Sequence, residues 1–183
     1  MVQHTKHMTV GEFEAYIEQP ENANRLLELI NGEIVEKVPT EEHGIVVLRI
    51  GSALLIFNDQ HNLGIVTTEA RHRLPNDDEN ALLPDVSFRS ATSPVVRQGA
   101  IPTMPDLAVE VQSPSQSDDD MAEKAAYYLA HGSRMVWLVF PVKRAVEIHQ
   151  AESVETFTES DTLTGGDVLP GFNLAVRAIF KGI

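Results

Sequence analysis

The chain contains no cysteine, which excludes disulfides and thiolate metal sites. No apolar run approaches the ~20 residues of a membrane span. The amino terminus, MVQHTKHMTV, lacks the ~7 to 15 apolar residues of a signal peptide, so a cytoplasmic protein with no membrane partner is expected. Basic residues are scarce: 14 Lys and Arg against 27 Asp and Glu leave a formal charge of -13. That balance argues against a general nucleic-acid-binding surface, because phosphate contacts supply most non-specific affinity. Heptads, internal repeats, low-complexity tracts and Pro/Gly/Ser-rich linkers are also missing. What is present is 183 residues with 43% hydrophobic content, enough to bury a sizeable core, so one domain over 1–183 is expected.

The most informative stretch is Pro105 to Lys124, PDLAVEVQSPSQSDDDMAEK. Leu107 through Val111 read as a buried strand, yet Glu110 lies inside it, and a charge there needs a partner. Ser113-Pro114-Ser115 stops the strand. Ser117 then caps a helix running from about Asp118 to His131, with an acidic first turn and Gly132 as its stop. Met121, Ala125, Tyr128 and Leu129 form the apolar face of this helix. Lys124 borders that face: it either pairs with Asp120 on the surface or reaches back toward the preceding strand.

Upstream, Thr9 and Glu12 form a capping-box pattern for a helix over Val10 to Glu18. Arg25 to Val38 reads as a hairpin around Asn31-Gly32, with Glu28 and Glu33 on opposite arms, each either a solvated strand residue or a ligand. Glu42 to Asn58 is apolar around much of a helical circumference and should be well buried. His43, near its start, has either a local polar role or a place in a nearby site. Gly64 to Leu74 reads as a strand with Arg71 and Arg73 on one face, where they meet either a phosphate or nearby acids such as Glu69. In Leu82 to Arg89 the proline places Asp85 at a strand terminus, where backbone opens into a cleft. Ala91 to Thr103 is a loop. Arg134 to Phe140 is a central strand, Ala145 to Gln150 and Val154 to Thr158 form a hairpin, and Asp167 to Phe180 adds a last strand and a helical turn. This order indicates an α/β (α+β) fold, a mixed central sheet flanked by helices, with an N-terminal hairpin and C-terminal strands. Edge strands and the apolar hairpin raise a homodimer as a further expectation.

If Asp85 and Glu110 lie at adjacent strand ends with oxygens ~4 Å apart, their repulsion approaches ~4 kcal/mol at an effective dielectric near 20. A shared proton, a cation such as Lys124, or a divalent metal must relieve it. All-oxygen ligation favours Mg2+ or Mn2+ over zinc, and the histidines show no HExxH spacing.

Pro84-Asp85 followed by Glu110-Val111-Gln112 resembles the PD-(D/E)XK nuclease signature, with Gln112 at its lysine position. LELINGEIVEK, His43, LLPDV, PDLAVEVQSPS, DDDMAEKAAYY, VWLVFP and TLTGGDVLPGF together resemble a narrower group, the Uma2 endonuclease family, over most of the chain. The resemblance implies a restriction-endonuclease-like fold, Mg2+ or Mn2+ bound by Asp85 and Glu110, and catalysis by Asp85, Glu110 and Lys124, with Gln112 beside them. It implies supporting positions at Glu28 and His43, and nucleic acid, chiefly DNA, as the substrate. Phe140 departs from the family, which has an acid before that proline. Two functions follow as expectations: a metal-dependent nuclease, or a nuclease-fold module that binds a partner without turnover.

Overall fold

The computed structural model describes residues 7–92 and 94–183. Its centre is a six-stranded sheet built from β3 (Gly64–Thr68), β4 (Val86–Ser90), β5 (Leu107–Val111), β6 (Met135–Phe140), β7 (Ala145–Gln150) and β8 (Ser153–Thr158). The strands lie side by side in chain order. All neighbours are antiparallel except β5 and β6, which pair in parallel and are joined by helix α3 (Asp118–Ala130). A parallel pair needs a crossover of this kind, since a tight turn can only reverse the chain.

Side-chain alternation along the strands assigns the two faces of the sheet. Leu107, Val109 and Val111 of β5, with Met135, Trp137 and Val139 of β6, pack against Val46, Ile50 and Leu54 of helix α2 (Glu41–His61) and against the C-terminal segment. Ala108, Val136, Leu138 and Phe140 turn the other way and pack on Met121, Ala125 and Tyr128 of α3. Glu110 shares the parity of Ala108, so its carboxylate is directed toward α3.

A separate two-stranded hairpin, β1 (Leu26–Ile30) and β2 (Glu33–Lys37), turns through Asn31 and Gly32 at φ of 51° and 75°. Both residues in the left-handed region is what an Asn-Gly turn permits. An isolated hairpin is marginal in water, and this one is anchored by Leu27 and Leu29, fully buried against Val10 and Phe13 of helix α1 (Val10–Ile17). Each such leucine contributes about 1.5–3 kcal/mol. Leu29 also exchanges both backbone hydrogen bonds with Ala81, which ties the hairpin to the segment leading into β4.

Two expectations change. The strand expected over Gly64 to Leu74 ends at Thr68, because Glu69 takes φ 51° and turns the chain, so Arg71 and Arg73 leave the sheet. Helix α2 is not buried all round: it meets the sheet on one side only, and Leu48 (69%), Leu55 (48%) and Ile56 (61%) remain exposed. The strand and helical turn expected over Asp167 to Phe180 are β10 (Leu169–Ala175) and the short helix α4 (Val176–Ile179), and β10 pairs with a further strand, β9 (Thr162–Gly165). Among the described residues, no helix is long and apolar enough to cross a membrane.

His72 reinforces the turn after β3. Its backbone pairs with Leu82, and its fully buried ring donates from Nδ1 to the Thr103 carbonyl at 2.7 Å. Nε2 is buried without a partner among the described residues. Burial, with the nearby Arg89 charge, lowers the His72 pKa from 6.5 to about 4. The unfolded chain therefore binds a proton in a range where the folded chain does not. The stabilising contribution is complete above pH 6.5 and is lost as pH falls toward 4, a difference of about 3 kcal/mol at most. Urea unfolding at pH 7.5 and 4.5 should show wild type losing about that much more stability than His72→Asn; parallel losses would refute the assignment.

Candidate active site

Two short strands each carry a glutamate in an otherwise apolar run, LLELI in β1 and LAVEV in β5, and both glutamates are buried. Leu27 and Leu29 face α1, which leaves Glu28 facing the opposite side of the hairpin, toward α3. There Lys124 donates to Glu28 Oε2 at 2.6 Å and to Glu110 Oε2 at 3.2 Å. Tyr128, one helical turn beyond Lys124, donates its hydroxyl to Glu110 Oε1 at 2.8 Å. Glu28 Oε1 accepts the Leu83 backbone N–H at 2.7 Å.

Asp85, just ahead of β4, completes the group. Its Oδ2 accepts the Val111 N–H at 2.7 Å and lies 3.2 Å from His43 Nε2 in the first turn of α2. Its Oδ1 accepts from Lys37 at 2.8 Å. Lys37, the last residue of β2, is the member that sequence reasoning missed. Its ammonium donates to Asp85, to Glu110 Oε2 at 3.1 Å and to the Leu83 carbonyl at 2.6 Å, with Glu28 Oε1 at 4.0 Å. One cation thus lies within hydrogen-bond distance of both acids, so Asp85 and Glu110 converge on a single point.

The electrostatics follow from burial and pairing. Desolvation opposes the charge on every member. For Asp85 the Lys37 ammonium and His43 overcome it and hold the carboxyl well below the usual range. For Glu110 desolvation, aided by Glu28 and Asp85, outweighs Lys124 and Lys37, and the carboxyl is raised. Desolvation would lower both lysines, yet the carboxylates around them keep both ammonium groups above their ordinary values. Burial and the adjacent acids push the Tyr128 hydroxyl well up, so it remains a donor.

Other expected members lie elsewhere. β5 ends at Val111, and the Gln112 amide turns to the Gln116 carbonyl and Asp118 at the start of α3. Arg71 donates to the Leu27 carbonyl and lies over the Phe13 ring, and Arg73 pairs with Glu14. The turn at Glu69 carries both arginines to the α1 side, so neither reaches the carboxylates. Phe140 is buried on the α3 face, with the Lys143 ammonium over its ring at 4.3 Å.

A cleft of about 50 Å³, lined by Lys37, His43, Asp85, Val111 and Ser113 among others, opens over the group. That is room for a few waters. A larger cleft of about 570 Å³ between the hairpin and α3 reaches Lys124 from the other side. Among the described residues, no three His, Cys, Asp or Glu side chains are grouped as a metal cage. The Lys37 ammonium nevertheless shows what the site accepts: a cation held by two carboxylate oxygens and one carbonyl oxygen. That donor set fits Mg2+ or Mn2+, which bind through one or two carboxylates and keep several waters.

Removing one partner from a buried ion pair leaves an uncompensated charge, at a cost of about 3–5 kcal/mol. Urea unfolding of Lys124→Met at pH 7 should show a loss of that size. Adding Glu28→Gln should recover part of it, since the two groups are in contact. A loss below about 1 kcal/mol would mean that solvent already screens the pair.

Comparison with known proteins adds a family and a fold. The model of the Uma2 family, described as "putative restriction endonuclease", matches residues 12–177. Among solved structures, a "putative nuclease belonging to DUF820" from Anabaena variabilis ATCC 29413 superposes with a TM-score of 0.79. The match covers 94% of this chain and 97% of that one at 22% identity, a likeness of fold alone. No curated protein matches the chain. With nearly its whole length matched, hairpin, sheet and C-terminal strands included, the chain belongs to the Uma2 family.

Proposed function

We propose that the chain is a metal-dependent endonuclease that hydrolyses phosphodiester bonds of nucleic acid, DNA in the first instance, with Asp85 and Glu110 holding Mg2+ or Mn2+. The observation that carries the proposal is the single ammonium bridging Asp85 and Glu110, which marks a point where both carboxylates can hold one cation. When bound, the ion would polarise a phosphoryl oxygen and acidify the attacking water.

The surrounding residues keep the acids in place. Asp85 is fixed by the Val111 N–H and by His43, and Glu110 by Tyr128 and Lys124, so little reorganisation remains when a phosphate arrives. Lys124 lies behind the acids, tethered to Glu28, and in this reading it is a positioning residue. His43 lines the small cleft and is within reach of water there, which suits it to relay a proton beside Asp85. Gln112, Arg71 and Arg73 have no part in this reading, since their side chains are engaged elsewhere.

The acidic balance of the chain sets the conditions of the test. Long-range attraction to a polyanion is lacking, so substrate should bind weakly or with high selectivity, and low salt and short substrates are the conditions to begin with. With Mn2+ present, the full chain should cleave single- or double-stranded DNA or RNA, and a chelator should abolish the cleavage. Asp85→Asn and Glu110→Gln should each lower the rate by about a hundred-fold or more, with circular dichroism unchanged. A folded wild-type protein that cuts no nucleic acid and binds no Mn2+ by calorimetry would overturn the proposal and leave a nuclease-fold module that acts by binding a partner.

A further inference from the structure

We propose that Lys37 is the resident counter-ion of the Asp85–Glu110 pair, and that a divalent cation enters the site only by displacing the Lys37 ammonium into the cleft beside His43. The inference rests on the reading of Asp85 and Glu110 as a cation site and goes beyond it to what controls access.

Occupancy is the first argument. The Lys37 ammonium has three N–H groups and three close acceptors: the Leu83 carbonyl at 2.6 Å, Asp85 Oδ1 at 2.8 Å and Glu110 Oε2 at 3.1 Å. Those acceptors are the oxygens a hard ion would use, so ammonium and metal exclude one another.

Mobility is the second argument. Lys37 ends β2 at the open mouth of the hairpin; its side chain is 13% exposed and lines the small cleft. Lys124 is 5% exposed, rises from the middle of α3 and is clamped by Glu28 at 2.6 Å. Lys124 also borders a cleft, but its 2.6 Å contact with Glu28 holds its ammonium inward, whereas rotation of the four-carbon stem of Lys37 can carry its charge into the small cleft beside His43.

Charge is the third argument. With all members ionised, three carboxylates (Glu28, Asp85 and Glu110) face two ammonium groups, which leaves one negative charge in excess. Exchanging the Lys37 ammonium for a divalent ion balances the cluster. Removing Lys37 without supplying an ion doubles the excess inside a buried group. The displaced ammonium would remain at the cleft mouth, next to any phosphate that enters.

The test is titration of Mn2+ into the full chain, wild type and Lys37→Met, by isothermal calorimetry at one pH. Lys37→Met should bind Mn2+ at least ten-fold more tightly. It should melt below wild type without metal and gain more in Tm when saturated with Mn2+. Equal or weaker binding by a folded Lys37→Met would overturn the inference. If that variant folds poorly, reductive methylation of wild type read by mass spectrometry keeps the question open to refutation. Lys37 should be protected without Mn2+ and reactive at saturating Mn2+, while Lys124 stays protected in both. A Lys37 still protected at saturation would overturn it too. Absence of Mn2+ binding by both proteins would sink the cation site and this inference together. Unchanged affinity beside intact Mn2+-dependent cleavage would sink only the role of Lys37. Tighter binding by Lys37→Met without cleavage would support the exchange while removing the nuclease reading.

Discussion

Three carboxylates taken almost fully out of water, interleaved with two ammonium groups, are the constraint around which the molecule is assembled. No single member would be stable in that position, since an isolated buried charge carries a penalty of several kcal/mol. Their positions are consequently mutually dependent. Glu28 comes from the hairpin, Asp85 from the start of β4, Glu110 from β5, Lys124 from α3 and Lys37 from the hairpin again. Withdrawing any of these elements exposes a charge imbalance in the others. The cluster therefore acts as a polar fastening between the two-stranded hairpin and the central sheet, next to the apolar contact of Leu27 and Leu29 with α1.

A purely structural fastening would not need this chemistry. Well-packed apolar side chains of similar volume are usually as stabilising as a buried ion pair, or more so. Retaining five ionisable groups in one buried place suggests that their charge is used. The cluster also sits where function would be expected in a sheet of this kind: at the carboxyl end of β5, beside the parallel crossover and next to an open cleft. The hydrogen bonds are specific as well as numerous. Both oxygens of each acid have a partner, so the orientation of each carboxylate is determined by packing and not by the presence of an ion.

Much of this was legible from the residues, and the failures have identifiable causes. A capping box located α1, the Ser117 cap located α3 and the Asn-Gly turn located the hairpin, because each is a local interaction complete within a few residues. Glu110 stood out because a charge inside LAVEV is costly. The same reasoning applies to Glu28 inside LLELI, which is equally buried although a solvated strand residue was the open alternative. Lys37 could not be found in that way. It closes EIVEK, a mostly exposed strand with no apolar alternation, and its burial arises only when the hairpin docks on the sheet. Tyr128 was legible as core, but its hydroxyl contact was not. The strand assumed through Arg71 and Arg73 failed at Glu69, since a non-glycine residue at positive φ leaves no mark in composition. The exposed side of α2 failed for a different reason: an apolar circumference says that a helix can be buried, not that a second layer exists to bury it.

The remaining tension is between a chain of charge -13 and the phosphodiester substrate proposed for it, and distance resolves much of it. At physiological ionic strength the field of an exposed charge decays over about 8 Å, and many of the surface acids are already engaged locally. Asp118 is paired with Lys143, Asp120 closes the α3 cap through Ser117, and Asp77 accepts from Tyr127 and Asn80. Charges in the buried cluster are screened far less, so a phosphate in the small cleft senses chiefly what lies beside it: Lys37, His43 and Asp85. With one negative charge in excess the cluster is itself unfavourable to a phosphate until a divalent ion balances it, so in the proposed reading the ion governs the encounter. The cost falls on reach, since a long duplex would also have to pass the acidic stretches Asp77 to Glu79 and Asp118 to Asp120.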